Sequence, residues 1–224
     1  MIILALETAT EACSAALAVD DDIRERFEVS PRGHSQLILP MINELLAEAQ
    51  LAIGQVDAIA FGRGPGAFTG LRIAVGVTQG IAFAADLPVV PVSTLAALAQ
   101  ASDANRVLAA IDARMDEVYW GAFQRDDSGL MTACGEEAVL SPSAVIPPEG
   151  SDWQGIGSGW DSYHSELAAC CAGHIVKWEE GGLPRAGDVA RLGLAAFRRG
   201  EGVSADHALP VYLRDEVAWK KSHK

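Results

Sequence analysis

Two carboxylates stand at matching places in this chain. Glu7 closes the apolar run "IILALE" and Asp112 closes "RVLAAID". Each is followed four residues later by a second acid, Glu11 and Asp116. Acids at strand ends can anchor magnesium beside a phosphate chain, or they can shape a turn. A second candidate is the stretch "AIAFGRGPGAFTGLRIAVG", residues 58–76. It reads as strand, glycine-rich loop and helix, the order in which many proteins cradle phosphate. Yet no lysine and hydroxyl follow the last glycine, as a Walker loop requires. The spacing of Gly62, Gly64, Gly66 and Gly70 also departs from the dinucleotide fingerprint. The residue pattern therefore favours a structural turn at Gly64, Pro65, Gly66 and Gly70 that launches the helix. Histidines 34, 164, 174, 207 and 223 are scattered, with no pair four apart on a helix and no neighbouring cysteine cluster. Nothing in that spacing builds a metal centre, and no cofactor is expected. His34, just ahead of a helix, reads as a cap or surface residue.

The elements that would position these groups follow from periodicity. "IILALE", "ACSAALAV" and "DIRERFEV" read as three strands of a meander turning on Asp20, Asp21 and Asp22. Residues 33–51 carry apolar side chains at Ile38, Met41, Ile42, Leu45, Leu46 and Ala49, which is helical spacing. Pro40 predicts a regular helix that begins late. "VDAIAFG" reads as a strand, and residues 69–86 as a helix with Thr69 as its N-cap. "PVVPVS" and "STLAALAQA" read as a short strand and a short helix. The "RVLAAIDARMDEVYWGAFQRD" segment then repeats strand, acid, three residues, acid, strand with a shift of 105 positions, which suggests two related lobes. The boundary falls in "ASDAN", giving lobes of residues 1–102 and 103–224, with the C-terminal segment from about 208 to 224 apolar enough to pack back on the first lobe.

Composition limits the partners. Seventeen basic against 30 acidic residues give a net charge of -13, which repels nucleic-acid phosphates. The basic ending "WKKSHK" reads as a solvated tail. The N-terminal apolar run meets Glu7 at once, so neither a signal peptide nor a membrane anchor is expected there. Four cysteines without a Cys-x-x-Cys pair suggest a reduced, cytoplasmic protein.

The helix of residues 69–86 is apolar on nearly every side, and Gly76, Gly80 and Ala84 make a small-residue stripe at intervals of four. That stripe admits the close approach of another helix. Periodicity alone leaves open whether this helix and the one before it are two sides of one core or an apolar surface awaiting a partner.

Taken together, "ILALETATEACSAALA", "HSQLILPMI", "GPGAFTGLRIAVGVTQGIA", "IDARMDEVYWGAF" and "PVYLR" resemble the TsaB (YeaZ) family over nearly the whole chain. The resemblance implies an α/β, actin-like, two-lobed fold of the sugar kinase and heat-shock ATPase superfamily, each lobe a mixed sheet flanked by helices. It implies a non-catalytic scaffold in the making of N6-threonylcarbamoyladenosine beside the anticodon of tRNAs. It implies pairing with TsaD, homodimers when alone, TsaE as the ATPase of the larger complex, and only indirect contact with tRNA. Docking is then expected through Leu37, Ile38, Met41, Ile42 and Leu45 on one helix and Leu71, Ile73, Val77, Gly80, Ile81 and Ala84 on the other. The metal-holding histidine pair and nucleotide motifs of TsaD-like proteins have no counterpart in this sequence. The alternative is an independent nucleotide hydrolase or glycoprotease-like peptidase of the same fold.

Overall fold

The computed structural model describes residues 1–214. The first half of the chain forms β1 (Ile2–Glu7), β2 (Ala12–Val19), β3 (Asp22–Val29), α1 (His34–Glu48), β4 (Ala58–Gly62), α2 (Phe68–Ala85), β5 (Val89–Val92) and α3 (Thr94–Gln100). The second half forms β6 (Arg106–Arg114), β7 (Glu117–Arg125), β8 (Met131–Ala133), β9 (Ala138–Leu140), β10 (Trp153–Ile156), α4 (Ser158–Cys170), β11 (Ile175–Glu179) and α5 (Ala186–Arg198).

Two mixed sheets result, ordered β3-β2-β1-β4-β5 and β11-β10-β6-β7-β8, with β9 also on β7. Each is built around an antiparallel hairpin, β1-β2 or β6-β7, whose first strand pairs in parallel with a later strand, β4 or β10. The repeat seen in the sequence is therefore a repeat of topology, and Glu7 and Asp112 sit at the same end of their hairpins. This is the actin-like two-lobed arrangement.

The alternation of strand side chains divides the first lobe into two layers. Leu4 and Leu6 face the layer of Ile38, Met41, Leu45 and Val75, supplied by α1 and α2. Ile3 and Ala5 face the other, where Val189, Ala190 and Leu194 of α5 pack on a bed of alanines. So the chain returns to the first lobe at α5, well before position 208. The division at 103–224 is corrected accordingly: α5 follows the second sheet in sequence but belongs to the first lobe's core. Of the segment 208–224, only 208–214 lies within the described residues.

Two helix starts differ from their sequence-based expectation. α1 runs unbroken from His34, with Pro40 inside it. Pro40 and Gln36, whose carbonyl loses its intrahelical donor, are both exposed, where water can replace the missing bond. In α2 the cap is Ala67, not Thr69. The Ala67 N–H is satisfied by the Ala9 carbonyl at 2.7 Å, a partner 58 positions away in sequence.

Candidate functional site

The β1-β2 turn is the point where the first lobe's elements meet. Glu7 ends β1 fully buried. Its Oε1 accepts the Ala9 N–H at 2.7 Å, and its Oε2 accepts the Thr94 hydroxyl at 3.1 Å. Thr94 Oγ1 in turn accepts the Gly64 N–H at 3.2 Å, while the Thr94 N–H donates to the Gly64 carbonyl at 2.9 Å. One carboxyl thus ties together the turn, the glycine-rich loop and the first turn of α3. Burial pushes its pKa from 4.5 up to about 7, against the hydrogen bonds, which pull it down. Gly62 lies directly beneath, and any side chain there would land on the Glu7 carboxylate. Sealed in this way, Glu7 reaches no open surface.

His34 pins the same turn from α1. It is buried, and its Nε2 lies 2.9 Å from the Thr10 carbonyl and 3.2 Å from that of Ala12. Both partners are acceptors, so Nε2 carries the proton and donates. The expected cap or surface role is corrected: the ring is a tie inside the lobe.

The glycine-rich loop answers the phosphate question through what fills it. A Cβ at Gly66 would strike Ala9, and one at Gly70 would strike the Thr8 carbonyl. The Thr8 hydroxyl donates to the Gly70 carbonyl at 2.8 Å. Gly64 adopts φ +103°, a conformation that favours glycine. The faces left bare at Gly66 and Gly70 are occupied by the β1-β2 turn, and that at Gly64 by the Val211 carbonyl and Leu71. The loop with Gly64, Pro65, Gly66 and Gly70 is a close-packed launch for α2.

Asp112 is placed differently. It lines a cleft of about 720 Å3 between the lobes, together with Thr10, Glu11, Phe68, Arg114, Tyr119 and Ser158. Its N–H donates to Ser158 Oγ, its Oδ1 accepts the Arg114 N–H at 2.8 Å, and its Oδ2 pairs with the Arg114 guanidinium at 3.0 Å. Arg114, Met115 and Asp116 all have positive φ, and Arg214 donates to the carbonyls of Ala113 and Arg114 and pairs with Glu117.

The structure sorts the expected docking residues into two groups. Ile38, Met41, Ile42, Leu45 and Leu71 are buried in the chain's own core. They are not surface residues, because the apolar stripe of each helix that faces the sheet is the one they occupy. Leu37, Ile73, Val77 and Ile81 are half-buried, and Gly80 and Ala84 are exposed. Added carbons at Gly76 and Gly80 would meet nothing. α2 matches a membrane span in length and apolar composition, yet only six of its 18 residues are buried. Phe68 and Phe83, outside the docking set expected from the sequence, are 53% and 64% exposed, and Leu39 of α1 is 47% exposed. Their signal was present: two phenylalanines on positions flanking the small-residue stripe. Tyr212 was missed too. Its ring centroid lies 5.7 Å from that of Phe68, and the Arg72 guanidinium sits 3.8 Å over the Phe68 ring.

The family model described as TsaD, tRNA N6-adenosine threonylcarbamoyltransferase, matches residues 27–221. The tRNA threonylcarbamoyladenosine biosynthesis protein TsaB of Escherichia coli is 44% identical over 99% of this chain and 98% of its own length. The protein of that name from Haemophilus influenzae is 42% identical over 99% of this chain and 97% of its own. In solved structures, YeaZ from Pseudomonas aeruginosa superposes with a TM-score of 0.89 at 52% identity, covering 95% of this chain and 99% of that one. The chain belongs to the family of that TsaD model and, within it, to the TsaB (YeaZ) group.

Proposed function

We propose that this protein is a scaffold subunit, without turnover of its own, in the threonylcarbamoyladenosine modification of tRNA, and that it works in the cytoplasm by pairing with a TsaD-type chain. The observation that carries this reading is the outward face of α2. It is apolar, edged by Phe68 and Phe83, and grooved by Gly76 and Gly80, where added carbons would meet open space. Such a face costs free energy in water until something covers it. A partner helix can approach closely along the glycines, while Ile73, Val77 and Ile81 supply the contact beside them. In the absence of the partner, the same face would pair with a second copy. A TsaE-type ATPase would join the larger complex, and tRNA, repelled by a chain of net charge -13, would be held mainly by partners.

The buried state of Glu7 supports a structural rather than chemical role for that acid. Asp112 in the inter-lobe cleft is the observation that favours the other reading, an independent nucleotide hydrolase. The deciding experiment is the mass in solution by light scattering after gel filtration, alone and mixed with the TsaD-type chain. A homodimer giving way to a one-to-one heterodimer is expected. An unchanged mass distribution on mixing overturns the pairing and turns attention to hydrolysis in the cleft.

A further inference from the structure

The face of α2 is a narrow strip for a whole partner chain. Its 18 residues make a strip about 27 Å long and about 10 Å across, a footprint of roughly 270 Å2. A stable interface of ordinary size takes roughly 800 Å2 from each side. α1 contributes little beyond Leu37, Leu39 and Pro40, because Glu44 and Glu48 farther along its surface are tied to Arg26. A neighbouring element could widen the surface.

The segment 208–214 is placed to do so. It runs beside α2 in the opposite direction. The Ala208 carbonyl accepts from Gln79 Nε2 at 3.1 Å, the Val211 N–H donates to the Arg63 carbonyl at 2.8 Å, and Tyr212 rests on Phe68 at the helix start. The segment then crosses the cleft, where Arg214 grips the β6-β7 turn through the carbonyls of Ala113 and Arg114 and the Glu117 carboxylate. Along this path large apolar side chains point outward: Leu209 is 57% exposed, Tyr212 43% and Met115, at the tip of the turn, 80%. Leu209 and Tyr212 lie alongside α2, and Met115 lies across the cleft from its start.

We propose that segment 208–214 and the tip of the β6-β7 turn extend the docking face of α2, so that one partner chain is held by both lobes. This rests on the docking reading given above, and the occupant is the same TsaD-type chain. Arginines 72, 114 and 214 edge this ridge, the last two already paired with Asp112 and Glu117, so the matching surface is mainly apolar, with a carboxylate facing Arg72. Because Arg214 ties the segment to the second lobe, the partner reads the angle between the lobes as well as the helix.

The test is the dissociation constant of the full chain for the TsaD-type partner, measured for Val77→Glu, Leu209→Asp and Met115→Asp. Unfolding temperatures are recorded alongside. All three sites are at least partly exposed, so the variants are expected to fold. Val77→Glu should abolish binding, and the other two should each weaken it more than threefold with unchanged unfolding temperatures. If Val77→Glu abolishes binding while either Leu209→Asp or Met115→Asp stays within threefold of the parent, the extension across both lobes is overturned and the docking reading stands. If Val77→Glu binds like the parent, the docking reading itself fails and takes the extension with it.

Discussion

The β1-β2 and β6-β7 turns occupy the same place in two copies of one topology, yet the chain uses them in opposite ways. In the first lobe the acid is buried and spent on structure: Glu7 holds its own turn and, through Thr94, the glycine-rich loop. In the second lobe the acid stays in the cleft, where the Asp112 carboxylate holds only Arg114 of its own hairpin, an arginine that is 85% exposed. The two turns are also crowded to different degrees. The first is packed against glycines that leave no room for a side chain. The second is a tip of three residues with positive φ, tied down from outside by Arg214. The comparison teaches that a duplicated hairpin can be a fixed foundation in one lobe and an open rim in the other. The foundation is the one beneath the proposed docking helix.

The sharpest way to break this contrast is to compare two glycines of one helix. Gly70 and Gly80 both lie in α2, but a Cβ at Gly70 falls on the Thr8 carbonyl whereas one at Gly80 meets nothing. Gly70→Val should lower unfolding free energy by about 3 kcal/mol or more, since backbone cannot yield as a flexible side chain would. Gly80→Leu should leave it unchanged or raise it by up to about 1 kcal/mol, because leucine is the better helix former. It should nonetheless block pairing with the TsaD-type chain. Denaturant unfolding of the two variants checks the first pair of claims, and gel filtration the last. Equal stability losses would mean that the loop is not the packed foundation described.

The buried acid gives the next effect, and its sign is set by the direction of its shift. The Glu7 carboxyl titrates near 4.5 when unfolded and at about 7 when folded. Its contribution is therefore favourable below about pH 4.5 and is lost progressively as pH rises through 7, where a buried charge has to be kept. Glutamine mimics the neutral form, accepting from Ala9 with its oxygen and donating toward Thr94 with its amide. Glu7→Gln should accordingly match the parent near pH 5 and exceed it by up to about 3 kcal/mol near pH 8. Unfolding curves across that range measure the difference. A gap that stays constant with pH would show that the acid is not buried as a neutral group.

Much of this architecture was legible because its causes are local. The first three strands begin and end where the apolar runs and the acidic turn place them, and Asp20 takes the left-handed conformation that such a turn demands. The docking face was half legible. Spacing marks which residues are apolar, but not which stripe faces the sheet, so Ile38, Met41, Ile42, Leu45 and Leu71 were expected on the wrong side. What could not be read depends on distant partners. The α2 cap is completed by Ala9, Glu7 is held in place by Thr94, and α5 is seated by a hydrogen bond from the Ala186 N–H to Ser14, 172 positions away.

The smallest expected effect decides most about Asp112. Asparagine keeps the oxygen that accepts the Arg114 N–H and loses only the ion pair with a guanidinium that is largely in solvent. Such a pair contributes under about 1 kcal/mol, so Asp112→Asn should unfold within that margin of the parent. If the second turn is an open rim with no chemistry, tRNA modification by the reconstituted system should proceed within about twofold of the parent rate. A hydrolase that anchors magnesium through this acid would instead lose transition-state stabilisation of about 2 to 4 kcal/mol, roughly 30- to 900-fold in rate. Pairing must be measured in the same samples, because intact pairing with a hundredfold loss would place Asp112 in the reaction. The two turns would then differ as foundation and active site rather than as foundation and rim.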